Sequence, residues 1–150
     1  SIGGFVSAKS SIAEYIRHKA SAFIFTAALP PASVAGVIEG LHILANDTER
    51  RNRLHENTAY IKRAFFDMGI QVNNSQVPIV PIQIGDEALT LYMNRLLFDD
   101  GIFAGVAVSP VVPPLKAMIR TSYTCAHTRE DLDQVLNSFK KNLRQLGMLP

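Results

Sequence analysis

The chain has 150 residues, 47% of them hydrophobic and 19% charged, so it can bury a core and is expected to be globular. Its 15 basic and 13 acidic residues are spread along the sequence and leave a formal charge of +2, which argues against a nucleic-acid-binding protein. Because no apolar run approaches the roughly 20 residues of a membrane span and Cys125 is the single cysteine, we expect a soluble, cytoplasmic protein without disulfides or a multi-cysteine metal site.

The first thirty residues have the pattern of a chain that starts inside a domain. Residues 2–6 (IGGFV) resemble a turn that leads into a strand, and no methionine or polar lead-in precedes them. Ser10 or Ser11 is expected to cap a short helix, because serine is a favoured N-cap residue. Residues 23–25 (FIF) are expected to form a short extended segment, which the proline pair at 30–31 ends.

Two helical stripes follow the proline pair. The first helix is unusually slim on one side, where it contains Gly36 and Gly40. Glycine costs about 1 kcal/mol relative to alanine in a helix, so we expect this side to pack tightly against another helix or another subunit. After a break at residues 46–48 (NDT), a second stripe predicts a helix that ends at Gly69.

The next segment contains a strand that two prolines interrupt. Residues 73–75 (NNS) predict a turn, and a strand is expected over residues 77–84. Pro78 and Pro81 place this strand at the edge of a sheet, because proline cannot donate to a ladder. A third helix is then expected, with Asp86 as its N-cap.

The remaining elements complete a two-layer domain. Strands are expected over residues 102–108 and 117–125, before a final helix in which Thr128 and Asp131 approximate a capping box. The order after residue 75 is therefore strand, helix, strand, strand, helix. This order predicts an α+β fold, a two-layer sandwich of a small, mostly antiparallel sheet with helices, preceded by a long bent helix.

Arg120 is an unusual residue in the strand over 117–125. Alternation directs it to the face opposite Ala117, Ile119 and Thr121, in a segment that carries no other charge. Desolvating a guanidinium is costly unless a planar anion answers it. The two interpretations are a structural ion pair with an internal Asp or Glu and a bound carboxylate ligand. Residue types alone favour the ion pair.

Other reactive residues give weaker signals. The four histidines lack the spacing of a metal site, and no phosphate-binding glycine loop or nucleophile elbow is present. Cys125 and His127 would share one face of a strand, as a thiol and its base would, but a buried cysteine beside a histidine at the start of a helix is favoured. By themselves, the residues indicate a binding surface rather than a reaction centre, with no metal.

Three segments resemble the carboxyl-terminal part of one enzyme family: residues 2–6 (IGGFV), residues 23–31 (FIFTAALPP) and residues 118–128 (MIRTSYTCAHT). The family is the α-oxoamine synthases, pyridoxal-phosphate enzymes of the aminotransferase class I/II type that include serine palmitoyltransferase, 8-amino-7-oxononanoate synthase and glycine C-acetyltransferase. The glycine pair and the segment at residues 23–31 are expected to resemble the serine palmitoyltransferases in particular. The resemblance implies a homodimer that condenses an amino acid with an acyl-CoA and releases carbon dioxide. It divides the chain into the end of the large cofactor-binding domain (1–30), connecting helices (31–69) and a small domain (70–150).

The resemblance also implies roles for individual residues. Arg120 falls on the family's arginine that holds the amino-acid carboxylate, which reverses the preference for a structural ion pair. Thr26, with the backbone of Ala27, matches the place where the family reaches across the dimer to the partner's cofactor phosphate. Residues 111–115 (VVPPL) would lie near the substrate channel, and His127 would fix the start of the last helix.

One departure from the family limits the expected activity. The Schiff-base lysine of the family precedes the glycine pair, whereas Lys9 follows it and does not inherit the role. We therefore expect no catalytic residue in this chain and no activity from it alone. The alternatives are a free-standing α+β module that senses an anionic metabolite through Arg120, and an interaction module that dimerises through the slim helix.

Overall fold

The computed structural model describes residues 3–73 and 75–149. The chain forms two compact units, Ser1–Asp47 and Thr48–Pro150, and each is described by itself. Ile2 of the IGGFV segment and Asn74 of the predicted turn lie outside the described residues.

Residues 3–47, the described part of the first unit, form three helices, α1 (Ser10–Lys19), α2 (Ser21–Ile24) and α3 (Pro31–Asn46). The expectation that a serine caps α1 is wrong, because Lys9 is the N-cap residue and provides no side-chain hydrogen bond. The extended segment expected at residues 23–25 is also wrong. The Ala20 carbonyl accepts from the amides of Phe23 and Ile24, which continues a helical turn through this apolar run.

Most apolar side chains among the described residues of the first unit, 3–47, are exposed, and none is buried. Phe5 and Phe25 are 89% and 86% exposed, and the predicted apolar stripe of α3 is open as well. A Cβ placed on Gly36 or Gly40 would meet no atom of the first unit within 4 Å, apart from the adjoining backbone of α3 itself. Within the described residues of the first unit, the tight packing expected for α3 therefore has no partner.

The described residues of the second unit, 48–73 and 75–149, form three helices and three strands. They are α4 (Thr48–Asp67), β1 (Ile79–Gly85), α5 (Glu87–Asp99), β2 (Gly105–Ala107), β3 (Ala117–Ser122) and α6 (Arg129–Gln145). The sheet order is β1-β3-β2, with both pairs antiparallel. The predicted α+β class is confirmed, and β1 lies at an edge of the sheet as its prolines require, although all three strands are shorter or shifted relative to the expected limits.

The core of the second unit lies on one face of the sheet. Ile119 and Val80 are fully buried there, and the edge-to-face pair of Phe65 from α4 and Phe139 from α6, with ring centroids 5.1 Å apart, packs in the same cluster. Removing this apolar surface from water is the main source of stability of the unit. The other face of the sheet carries the side chains that alternate with the buried ones.

Helix ends in the second unit follow the predicted capping chemistry. The Asp86 carboxylate accepts from the Leu89 amide at 2.8 Å and so caps α5. At the start of α6, the Thr128 hydroxyl accepts from the Asp131 amide at 3.2 Å while the Asp131 carboxylate accepts from the Thr128 amide at 2.8 Å. This reciprocal arrangement is a complete capping box.

Asp100, just after α5, connects that helix to α6. Its carboxylate accepts hydrogen bonds from Lys141 Nζ (2.6 Å), Ser138 Oγ (2.7 Å) and Asn142 Nδ2 (2.9 Å). These bonds, that from Lys141 above all, lower the pKa of Asp100 to about 2. Since they are stronger to the ionised carboxylate than to the neutral carboxyl group, they join the two helices most firmly above that pH.

We expect Asp100→Asn to lower the melting temperature of the chain at neutral pH, because three donors lose an anionic acceptor. The folded-state pKa lies below the unfolded value of about 3.9. The stabilisation is therefore present above pH 4 and is lost as the pH falls toward about 2. Thermal unfolding of both proteins between pH 7 and pH 2 measures this. Asp99→Asn, which removes an exposed i,i+4 partner of Arg95, is the matched control, and a difference between wild type and Asp100→Asn that stays constant across this range would contradict the assignment.

Candidate functional site

Arg120 lies in the central strand β3, on the face that the helices leave open. Ala117, Ile119 and Thr121 are buried, whereas Arg120 is exposed, so the predicted alternation is confirmed. A ligand can therefore reach the guanidinium. Because the guanidinium is exposed, it keeps its hydration and needs no internal partner to offset a desolvation cost.

No described side chain forms an ion pair or hydrogen bond with the Arg120 guanidinium. Other arginines of the unit do have acidic partners one helical turn away: Arg63 Nε lies 3.0 Å from Asp67, and Arg95 Nη2 lies 2.9 Å from Asp99. Among residues 3–73 and 75–149, Arg120 therefore lacks the structural ion pair that residue types alone favoured. Its positive charge remains uncompensated in the sheet.

The two cross-strand neighbours of Arg120 are Pro81 in β1 and Gly105 in β2. A Cβ on Gly105 would lie 3.6 Å from Arg120 Nε and 3.8 Å from its Nη2. The guanidinium therefore extends over β2, across the strand position that has no side chain. Sequence reasoning missed Gly105, although an isolated glycine in a strand signals a close approach by another group.

A groove of about 650 Å³ runs along the β1 side of the same sheet. The open face contributes Pro81, Gln83 and Met118 to its lining, and Lys116 lies at the start of β3. Ile82 and Ile84 of β1, Leu143 of α6, residues 69–73, Met148 and Leu149 also line it. The lining thus takes residues from both faces of β1 and includes Pro81, the cross-strand neighbour of Arg120, but not Arg120 itself.

The proline loop before β3 presents apolar side chains to solvent. Val111 and Leu115 are 80% and 74% exposed. Leu115 has a φ of 61°, in the left-handed region that a leucine rarely adopts and that costs about 1–2 kcal/mol. The location of this loop near a substrate channel stays a prediction.

Thr26 and Ala27 lie in the first unit, between α2 and α3. The Thr26 hydroxyl donates to the Ala22 carbonyl, and both residues are exposed. The Ala27 amide forms no backbone hydrogen bond within the described chain. A hydroxyl and a vacant main-chain donor suit a phosphate, provided that Thr26 exchanges its present acceptor for the anion.

His127 holds the connection between β3 and α6. Its Nδ1 accepts from the Thr124 amide at 3.1 Å, which leaves Nε2 to carry the proton of the neutral ring. Asn57 of α4 donates to the carbonyls of Thr124 (3.1 Å) and His127 (3.0 Å). The imidazole therefore fixes the start of α6, as expected, and forms no hydrogen bond with the half-buried thiol of Cys125.

Two further properties come from the described residues as a whole. Among residues 3–73 and 75–149, no group of three His, Cys, Asp or Glu side chains could hold a metal ion. None of the helices in this part of the chain has both the length and the apolar character of a membrane span.

Comparisons with known proteins identify the family. The model of the family described as "Aminotransferase class I and II" matches residues 1–139. The chain is 40% identical to the 8-amino-7-oxononanoate synthase of Thermoanaerobacter pseudethanolicus and 36% identical to the serine palmitoyltransferase of Bacteroides thetaiotaomicron, in each case over 99% of this chain and 38% of the relative. Identity therefore does not single out serine palmitoyltransferases.

Solved structures give the same result. The serine palmitoyltransferase of Sphingomonas wittichii matches 97% of this chain and 37% of its own, with 26% identity and a TM-score of 0.80. A serine palmitoyltransferase structure with PLP matches 96% of this chain with 27% identity and a TM-score of 0.81. Pyridoxal phosphate is thus the cofactor of this family.

The chain spans about 38% of the length of the curated relatives that it matches. Its three-stranded sheet, with Arg120 on the open face, belongs to that shared part. The chain therefore belongs to the class I and II aminotransferase family, and within it to the α-oxoamine synthases, of which it represents the carboxyl-terminal part.

Proposed function

We propose that this chain is the carboxyl-terminal portion of a pyridoxal-phosphate-dependent acyltransferase, which condenses an amino acid with an acyl-CoA thioester and releases carbon dioxide. The observation that carries the proposal is the exposed guanidinium of Arg120, which has no anionic partner among the described residues and lies at the centre of the sheet of a family that acts on amino acids. Serine palmitoyltransferase-like specificity is one form of this activity, and 8-amino-7-oxononanoate synthase-like specificity is another.

Arg120 is suited to binding the substrate carboxylate. Its guanidinium is planar, keeps its charge at any physiological pH, and can donate two parallel hydrogen bonds to one carboxylate. Such a pair fixes the direction of the carboxylate as well as its position, which a lysine ammonium cannot do. Held in this way, the α-carbon of the amino acid has one orientation relative to the cofactor.

The cofactor, when bound, supplies the electron sink for carbanion chemistry at the α-carbon. Thr26 and the Ala27 amide would hold its phosphate by donating hydrogen bonds to an anion. In the proposed homodimer these donors act on the cofactor of the partner subunit. The donor set supports this role, because the Ala27 amide has no backbone acceptor in the described chain.

The division of labour follows from what the chain lacks. Lys9 follows the glycine pair and is the N-cap residue of α1. It therefore does not take the role of the Schiff-base lysine, and we propose that the chain alone is inactive.

We further propose that residues 1–30 belong to the large domain, residues 31–69 to the connecting helices and residues 70–150 to the small domain. Ile61 and Phe65 of α4 pack in the core of the second unit, which supports a close association of that helix with the small domain. A cytoplasmic location rests on the single cysteine.

In the full-length protein that contains this chain, we expect Arg120→Ala to weaken amino-acid binding about 10- to 150-fold, the range for losing a charge-assisted hydrogen-bonded pair. Titration of the amino acid against the visible absorbance of the bound cofactor measures the dissociation constant. Cofactor binding should be retained, because the cofactor is held elsewhere.

Arg120→Lys is the matched variant for charge. It keeps the positive charge and loses the planar fork, so its affinity should lie between those of wild type and Arg120→Ala. Unchanged amino-acid affinity in Arg120→Ala would return this residue to a structural role and remove the support for the proposed function.

A separate prediction concerns Thr26. Replacing it by alanine should weaken cofactor affinity about tenfold, as expected for one lost hydrogen bond to an anion, without changing amino-acid affinity at saturating cofactor. Equilibrium dialysis of the apoenzyme with pyridoxal phosphate measures the first quantity. Thr26→Ser, which keeps the hydroxyl, should bind cofactor as wild type does, and equal affinities in all three proteins would exclude a phosphate contact.

A further inference from the structure

We propose that Gly105 is a positioning residue for Arg120: the missing side chain in β2 lets the guanidinium lie over that strand and so sets where it meets the amino-acid carboxylate. This inference rests on the proposed function and deepens it. It assigns a determinant of substrate binding to a residue that contacts Arg120 and has no polar side chain of its own.

The backbone does not explain the glycine at position 105. Gly69, Gly85 and Gly101 have φ values of 85°, 98° and 82°, in the region that other residues rarely adopt. Gly105 is not among the glycines with positive φ. A residue with a Cβ could therefore adopt its conformation, and it would also strengthen the strand, which glycine weakens.

The surroundings of Arg120 are asymmetric. On one side it pairs with Pro81, whose ring occupies the surface of β1, and on the other with Gly105. Directly paired residues in a sheet point to the same face, so the guanidinium must share this face with whatever side chain each neighbour carries. Its Nε and Nη2 atoms lie close to the position of the absent Cβ, which places the guanidinium on the glycine side.

The distances predict a graded response to side-chain size. A Cβ on Gly105 would lie 3.6 Å from Nε and 3.8 Å from Nη2, an ordinary van der Waals contact that displaces nothing. Valine adds two methyl groups about 1.5 Å beyond that Cβ, one carbon–carbon bond further out. They reach into the volume that the guanidinium occupies, so Arg120 must leave its position over β2.

The test uses the full-length protein with three variants. Gly105→Ala adds only the tolerated Cβ, and Gly105→Val adds the obstructing methyl groups. Ala107→Val is the matched control, since Ala107 lies in the same strand and on the same face but pairs with Met118 instead of Arg120. Amino-acid affinity from cofactor absorbance, cofactor affinity and melting temperature are measured for each, and a crystal structure of Gly105→Val locates the guanidinium.

We expect amino-acid affinity to fall about tenfold or more in Gly105→Val, because a misplaced guanidinium loses one or both hydrogen bonds to the carboxylate. Gly105→Ala and Ala107→Val should bind the amino acid within about twofold of wild type, and cofactor affinity should be unchanged in all three. In the background of Arg120→Ala, the valine substitution should have little further effect, since the group through which it acts is gone.

Three results would overturn the inference. The first is wild-type amino-acid affinity in Gly105→Val, wherever the guanidinium lies. The second is an equal loss in Ala107→Val and the third is a full additional loss in the Arg120→Ala background, either of which would mean a general effect on the strand. Failure of the proposed function is recognised separately, because wild type itself would then give no cofactor absorbance change with any amino acid.

Discussion

The period-two alternation of β3 is the constraint on which the site depends. A shift of one residue in its pairing would turn Arg120 into the apolar core and bring Ile119 and Thr121 to the open face. Burial of Ile119 opposes this shift, and the hydrogen bond from the Thr121 hydroxyl to the Val80 carbonyl, 2.9 Å long and buried, ties β3 to β1 in the observed register. Burial of the core-face side chains thus fixes the register of β3, and this register determines which side chains lie on the open face.

The end of β3 is fixed by contacts that extend to two helices. The Tyr123 amide donates to the Pro78 carbonyl at 3.0 Å, which holds the strand next to the residue before β1. Asn57 binds the turn after the strand from α4, and the capping box begins α6 directly afterwards. Each of these hydrogen bonds has a backbone atom as one partner, and none uses a side chain on the open face. Substitutions on the open face should therefore leave them in place. The site can therefore vary at Gly105 or Pro81 without loss of the scaffold.

Sequence reasoning predicted the second unit well because its signals are local. Alternation identified β3, the prolines identified the edge strand, and side-chain caps identified the starts of α5 and α6. It failed for residues 23–25, where an apolar run as short as three residues fits a strand and a helical turn equally well. It also missed Gly105, since the importance of that residue arises only from the register in which β2 pairs with β3, which places Gly105 opposite Arg120.

Composition could not predict that Arg120 lacks an internal partner among the described residues, because the fold determines which acidic side chains can reach the guanidinium. Several carboxylates of the second unit are already committed: Asp86 and Asp131 to helix caps, Asp100 to α6, Asp133 to the Tyr60 hydroxyl and Glu87 to the Ser109 amide. Each of these bonds stabilises an element or a loop of the scaffold itself. Turning one of these five carboxylates toward Arg120 would give up such a bond, whereas an external carboxylate meets the guanidinium without that loss. These hydrogen bonds therefore favour an external partner for the exposed arginine over any of the five.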